Sequence, residues 1–150
     1  LTANGALVLR TSIVGFRNWQ SPSFAEWAIA AVSEDREMQL FHDAWTSSID
    51  TATFAANALK LLLDRGARGR VNLAASEVYS KEAFIREIAF QLNKTLTRAT
   101  SVSVHDQLSG RASCLGLDVS RAEKLLGHKL PNLSQVVANI LTEQKLMRNS

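Results

Sequence analysis

Ala6-Leu7-Val8-Leu9-Arg10-Thr11-Ser12 decides the fold class. Four consecutive apolar residues followed at once by three polar ones predict a strand covered on both faces, whose polar end emerges at the edge of a parallel sheet. Arg70-Val71-Asn72-Leu73-Ala74 reads as a second main strand. Between the two lie helical signals. Ser21-Pro22 supplies a cap with proline at the first helical position, and Phe24, Trp27, Ala28, Ala31 and Val32 recur at helical spacing up to about Glu34. Residues 38–41 are a brief strand candidate. The polar stretch 42–48 separates it from a helix capped by Asp50, with Phe54, Ala58, Leu61 and Leu62 on one face and Gly66 as its stop.

Beyond the second strand, Ser80 opens a helix whose apolar set is Phe84, Ile85, Ile88, Ala89 and Leu92. Tyr79 before that cap and Phe84 at its fourth position form a hydrophobic staple. A further strand is expected within 96–104. Ser120 and Glu123 have capping-box spacing before a short helix ended by Gly127, and Asn132 with Gln135 repeats the logic for a last helix striped by Leu133, Val136, Val137, Ile140 and Leu141. Strands joined through helices require crossover connections, so the class is α/β with a mostly parallel sheet. Two convincing strands are few for a doubly wound domain. The sequence opens at Leu1 without methionine, and the early strand would leave an open edge. The expectation is therefore a single fragment, residues 1–150, with the rest of the sheet upstream.

Composition narrows the function. The 150 residues are 46% hydrophobic and 21% charged, with a formal net charge of +3, which excludes a disordered chain. Lys and Arg number 7 against 7 acids in residues 1–75 and 10 against 7 in residues 76–150, too dilute a surplus for a nucleic-acid footprint. The tightest cluster, Arg65, Arg68 and Arg70, lacks interleaved aromatics and reads as solvated surface. No apolar run reaches the length of a membrane span, and no signal peptide is recognisable, so a cytoplasmic location without membrane contact is expected. One cysteine, Cys114, and three scattered histidines leave no disulfide and no metal cluster.

Chemistry-bearing motifs are sparse. A dinucleotide site would show G-x-G-x-x-G directly after a strand, and the nearest pair, Gly66 and Gly69, follows a helix instead and reads as a cap plus turn. A tyrosine acid with a lysine one turn on requires Tyr-x-x-x-Lys. The single tyrosine, Tyr79, is followed by Lys81, and on a helix that spacing separates the two by about 200°. His42, Asp43 and Ser47 or Ser48 lack the elbow of a serine hydrolase. No catalytic residue is assigned. What remains are binding candidates: Thr11 and Ser12, at the strand end where open α/β sheets place ligand groups, Arg111, whose guanidinium can fork onto a phosphate, and Trp45, which can stack on a base or sugar.

The ordered segments 7–16 (LVLRTSIVGF), 40–47 (LFHDAWTS), 69–76 (GRVNLAAS) and 111–127 (RASCLGLDVSRAEKLLG), followed by KLPN at 129–132, resemble the C-terminal half of dTDP-4-dehydrorhamnose reductase-like proteins, within the extended short-chain dehydrogenase/reductase superfamily. The likeness spans nearly the whole chain. It implies the C-terminal portion of a Rossmann-like doubly wound fold, with few mostly parallel strands, several helices and a substrate-binding lobe. The family's glycine-rich loop and Tyr-x-x-x-Lys pair lie in the other half, so the resemblance implies NAD(P) for the full-length protein and none for this chain alone. It further implies a nucleotide-sugar substrate, with Thr11 and Ser12 facing nicotinamide and sugar and Arg111 near the nucleotide diphosphate. The activity implied is reduction of a 4-keto sugar nucleotide, the fragment alone being inactive; a non-catalytic subunit, or an epimerase or dehydratase of the same superfamily, are the alternatives. Ile13 stands where the family commonly has tryptophan, and residues 111–117 lose the proline and serine of its Arg-Pro-x-x-Ser-x-Leu pattern. The sugar is therefore left open, as is a homo-oligomeric state.

Overall fold

In the computed structural model, which describes residues 5–17, 20–107 and 113–148, the apolar stretch at the start is strand β1 (Leu7–Arg10). It is followed by β2 (Ile13–Val14), α1 (Phe24–Ser33), β3 (Met38–Phe41), β4 (Trp45–Thr46), β5 (Ile49–Asp50) and α2 (Thr51–Leu59), which runs on into a π-helical turn, Lys60–Asp64. Then come β6 (Gly69–Asn72), β7 (Tyr79–Ser80), α3 (Lys81–Gln91), β8 (Ala99–Val102), α4 (Val104–Gln107), β9 (Cys114–Leu115), α5 (Ser120–Leu126) and α6 (Leu133–Arg148). The pairings are mostly parallel: β1 with β6, β2 with β5, β3 with β8, and β4 with β9. Among the described residues, only β4 with β7 runs antiparallel. The α/β class expected from the sequence is observed.

Side-chain caps set most helix starts. Asp50 accepts from Thr53 N (2.9 Å), Ser80 accepts from Ala83 N (3.0 Å), and Asn132 and Gln135 cap each other reciprocally at 3.0 Å. Two caps differ from expectation. The first helix starts after Ser23, which forms a capping box with Glu26, because Ser23 and Glu26 have the required spacing whereas Ser21 has no acid three residues on. The expected Ser120 and Glu123 box does not form. Ser120 donates from N and Oγ to Asp118 Oδ1, and Glu123 turns instead to Lys129 Nζ (2.6 Å) and Leu130 N (3.1 Å). Gly127 ends α5 at φ 78°, a left-handed conformation that disfavours any residue with a Cβ.

Two apolar clusters hold the layers together. One joins α1, α3 and α6 to β3, with Ile29, Leu40, Phe84, Ile88, Val136 and Ile140 inside. The other packs Ile49, Leu61, Val71, Leu73, Leu126 and Leu130 between α2, β6 and α5. They meet where β6 ends, since Ala74 belongs to the second cluster and Ala75 to the first, and Ala75 N donates to Ser47 O (2.9 Å). β1 is not covered on both faces as its composition predicts. Leu7 and Leu9 pack against the second cluster, but Val8 is 37% exposed. Among the described residues, β6 is the only strand paired with β1.

Candidate functional site

The segments linking the two clusters build a cavity. β1 delivers Ser12 to the carboxyl end of the sheet, and Ile49 N donates to Ser12 O (2.9 Å), which ties that end to β5. Ser12 Oγ lies 2.8 Å from Ser48 Oγ and 3.3 Å from Thr46 Oγ1, while Thr46 Oγ1 and Ser48 Oγ are 2.9 Å apart. These three hydroxyls form part of the wall of a cavity of about 320 Å³. That volume lies at the lower end of small-ligand sites. The remaining wall is largely apolar and aromatic, with Phe24, Phe41, Trp45 and Phe84 among its members.

Tyr79 fixes one side of this wall. Its ring stacks on Phe84 at 6.1 Å between centroids, the staple expected from the sequence, and its hydroxyl donates to Ser48 O at 2.5 Å. Burial pushes the phenol well above its ordinary pKa, so the hydroxyl stays protonated and available for that bond. Lys81 opens α3 and brings its ammonium 5.6 Å from the centre of the Phe24 ring, a cation over a π face. It is the one cationic side chain in the wall among the described residues. Tyr79 and Lys81 therefore share one cavity, although helical spacing predicts that they diverge. The angle does not apply because Tyr79 lies in β7 and only Lys81 lies in the helix.

Of the binding candidates named from the sequence, Ser12 and Trp45 are brought together in this wall, with Trp45 42% exposed. Thr11 is exposed at the strand end and does not line the cavity. Arg111 lies outside the described residues. Sequence inspection passes over Thr46 and weighs Ser48 and Lys81 only for hydrolase and Tyr-x-x-x-Lys chemistry, since isolated polar residues in short strands carry no periodic signal. The hydrolase-like group dissolves into structural bonds: Asp43 accepts from Ser103 Oγ (2.5 Å) and Val104 N (2.7 Å), and Ser47 Oγ accepts from Leu117 N (3.0 Å). Those two bonds hold Asp43 below the usual carboxylate range.

The starts of α1, α2, α3 and α6 do not fit a cofactor pyrophosphate. Ser23, Asp50, Ser80 and Asn132 already occupy first-turn amides of α1, α2, α3 and α6 with their own oxygens, and Asp50 would repel an anion. Among the described residues no cluster of three or more His, Cys, Asp or Glu could hold a metal, and no helix is long and apolar enough to cross a membrane.

No family model matches the sequence. No curated protein matches it either. Solved structures do match in three dimensions. A dTDP-4-dehydrorhamnose reductase from Bacillus anthracis, crystallised with NADP, is 18% identical with a TM-score of 0.75, over 91% of this chain and 48% of that one. Another from Clostridium acetobutylicum is 17% identical with a TM-score of 0.74, over 93% of this chain and 49% of that one. A UDP-glucuronic acid 4-epimerase from Bacillus cereus, crystallised with UDP-glucuronic acid and NAD, is 17% identical with a TM-score of 0.69, over 94% and 45%. The chain thus spans just under half the length of these structures. Its mostly parallel α/β arrangement is the fold of about half of a Rossmann-like short-chain dehydrogenase/reductase.

Proposed function

We propose that this chain is the nucleotide-sugar-binding half of an NAD(P)-dependent reductase acting on a 4-keto sugar nucleotide of the dTDP-4-dehydrorhamnose kind. One observation carries the proposal: at the carboxyl ends of parallel strands, where open α/β sheets hold ligands, Ser12, Thr46 and Ser48 meet an aromatic wall and Lys81 in one cavity. Ser12, with Thr11 at the rim, hydrogen-bonds the sugar or nicotinamide, and Trp45 offers a flat face to the sugar or base. Lys81 neutralises part of the diphosphate charge, and Arg111 adds a guanidinium fork. The cofactor is held by a complementary half, because the starts of α1, α2, α3 and α6 are already capped by this chain's own side chains.

The exposed flank of β1 supports such a complement. Gly69 N donates to Ala6 O and Leu73 N to Arg10 O, so the even-numbered residues of β1 bond toward β6. Alternation along a parallel strand then directs the backbone groups of Leu7 and Leu9 to the open side. A parallel strand of the cofactor half would pair there.

Calorimetric titration tests the binding role. The chain is expected to bind dTDP-glucose, and Arg111→Ala to weaken that binding about tenfold, the worth of one charge-assisted bond. Unchanged affinity removes Arg111 from the site. NADPH is expected to remain unoxidised when the chain alone is mixed with a 4-keto sugar nucleotide, and turnover would contradict the division of labour. The epimerase neighbour favours a second chemistry on the same half, and that reading predicts interconversion of sugar epimers without net NADPH consumption once a cofactor half is present.

A further inference from the structure

The three hydroxyls in the cavity wall can be counted as donors and acceptors. Each carries one proton and two lone pairs. Ser12, Thr46 and Ser48 make three mutual contacts, at 2.8, 2.9 and 3.3 Å, in each of which either oxygen can donate, so closing them into a ring of hydrogen bonds would use all three protons. What faces the cavity is then oxygen lone pairs. The ring is held from behind, because Ser12 O accepts from Ile49 N and Ser48 O accepts from the Tyr79 hydroxyl. Neither backbone can turn without giving up a bond made in a part-buried setting.

We propose that the Ser12, Thr46 and Ser48 triangle is a specificity subsite that accepts a hydrogen bond from a ligand hydroxyl and discriminates against a ligand group that can only accept. The proposal rests on the nucleotide-sugar reading and adds to it the polarity of one contact. A sugar hydroxyl donates into the ring without disturbing it. A carbonyl, ether or phosphate oxygen at the same place requires one of the three protons, and so breaks a contact inside the ring. The 3.3 Å edge between Ser12 and Thr46 is the longest of the three.

Fluorinated sugars read this polarity directly, since fluorine has nearly the bulk of a hydroxyl but cannot donate. The affinities of the chain for dTDP, dTDP-glucose and the 2-, 3-, 4- and 6-deoxyfluoro forms of dTDP-glucose are compared by calorimetry. At least one fluoro form is expected to bind about fivefold more weakly than dTDP-glucose, the worth of one neutral hydrogen bond. Thr46→Val removes a ring hydroxyl at constant shape and is expected to lose the same factor for dTDP-glucose, with no further loss for that fluoro form and unchanged dTDP affinity. Thr46→Ser keeps the hydroxyl and restores the unaltered behaviour. Should Thr46→Val lose dTDP binding as well, the variant has disturbed the fold, and the fluoro series on the unaltered chain with Ser48→Ala decides instead. Four fluoro forms that bind as tightly as dTDP-glucose overturn the subsite while leaving the nucleotide-sugar reading intact. Failure of the unaltered chain to bind either dTDP or dTDP-glucose overturns both.

Discussion

The flank of β1 and the wall of the cavity are both rich in apolar residues, yet their surroundings differ. At the flank, Val8 is 37% exposed, and elsewhere Leu63, in the π-helical turn after α2, is 72% exposed. In the wall, Phe84 is 1% and Tyr79 4% exposed, and Phe84 packs within the cluster that joins α1, α3 and α6. Apolar sequence alone does not say which of these environments a residue enters. Cover by other elements does: in the wall it is supplied by α1 and α6 packing on α3, whereas Leu7 and Leu9 of β1 are covered by the second cluster and Val8 stays exposed.

Substitution should separate the two regions sharply. Phe84→Ala is expected to cost about 3–5 kcal/mol in chemical denaturation, as a large buried ring is lost, while Leu63→Gln in the exposed π-helical turn should stay within about 0.5 kcal/mol. Equal effects would erase the contrast. Tyr79→Phe keeps the staple but removes the bond to Ser48 O, and a loss of about 1–2 kcal/mol is expected from the same measurement. A smaller effect, and on binding rather than stability, is expected for Lys81→Met: dTDP affinity falls about tenfold by calorimetry, the worth of one contact between opposite charges, while the unfolding midpoint holds.

The smallest effect concerns acid. Asp43 is held below its ordinary value of 3.8 by Ser103 and Val104, so its contribution is complete above that value and fades as pH falls through the lower folded one. Asp43→Asn should therefore flatten the acid limb of a stability profile below about pH 4, the ordinary carboxylate range, and leave its neutral part unchanged in slope. A neutral slope that changes instead would place the titrating group elsewhere.

The same contrast explains what the sequence made legible. The long helices were read correctly because Phe84, Ile85, Ile88 and Ala89, or Val136, Val137, Ile140 and Leu141, recur at helical spacing. β1, β3, β6 and β8 were also visible as apolar or alternating runs. The strands that shape the cavity were not. β2, β4, β5, β7 and β9 have two residues each, too few for any period, and they are placed by pairing with distant segments. Hence Ser12 and Trp45 could be singled out, one by its strand end and one by its ring, while Thr46 and Ser48 were hidden in a polar stretch. The Ser120 and Glu123 spacing misled because Asp118 and Lys129 offered both residues other partners.

Titrating the isotopically labelled chain with dTDP-glucose and following its backbone amide resonances tests the central claim most directly. The account predicts the largest shifts at Ser12, at 45–48 and at 79–81, with residues 7–10 and 59–63 unmoved. Shifts centred on the β1 flank, or none at saturating ligand, would contradict it.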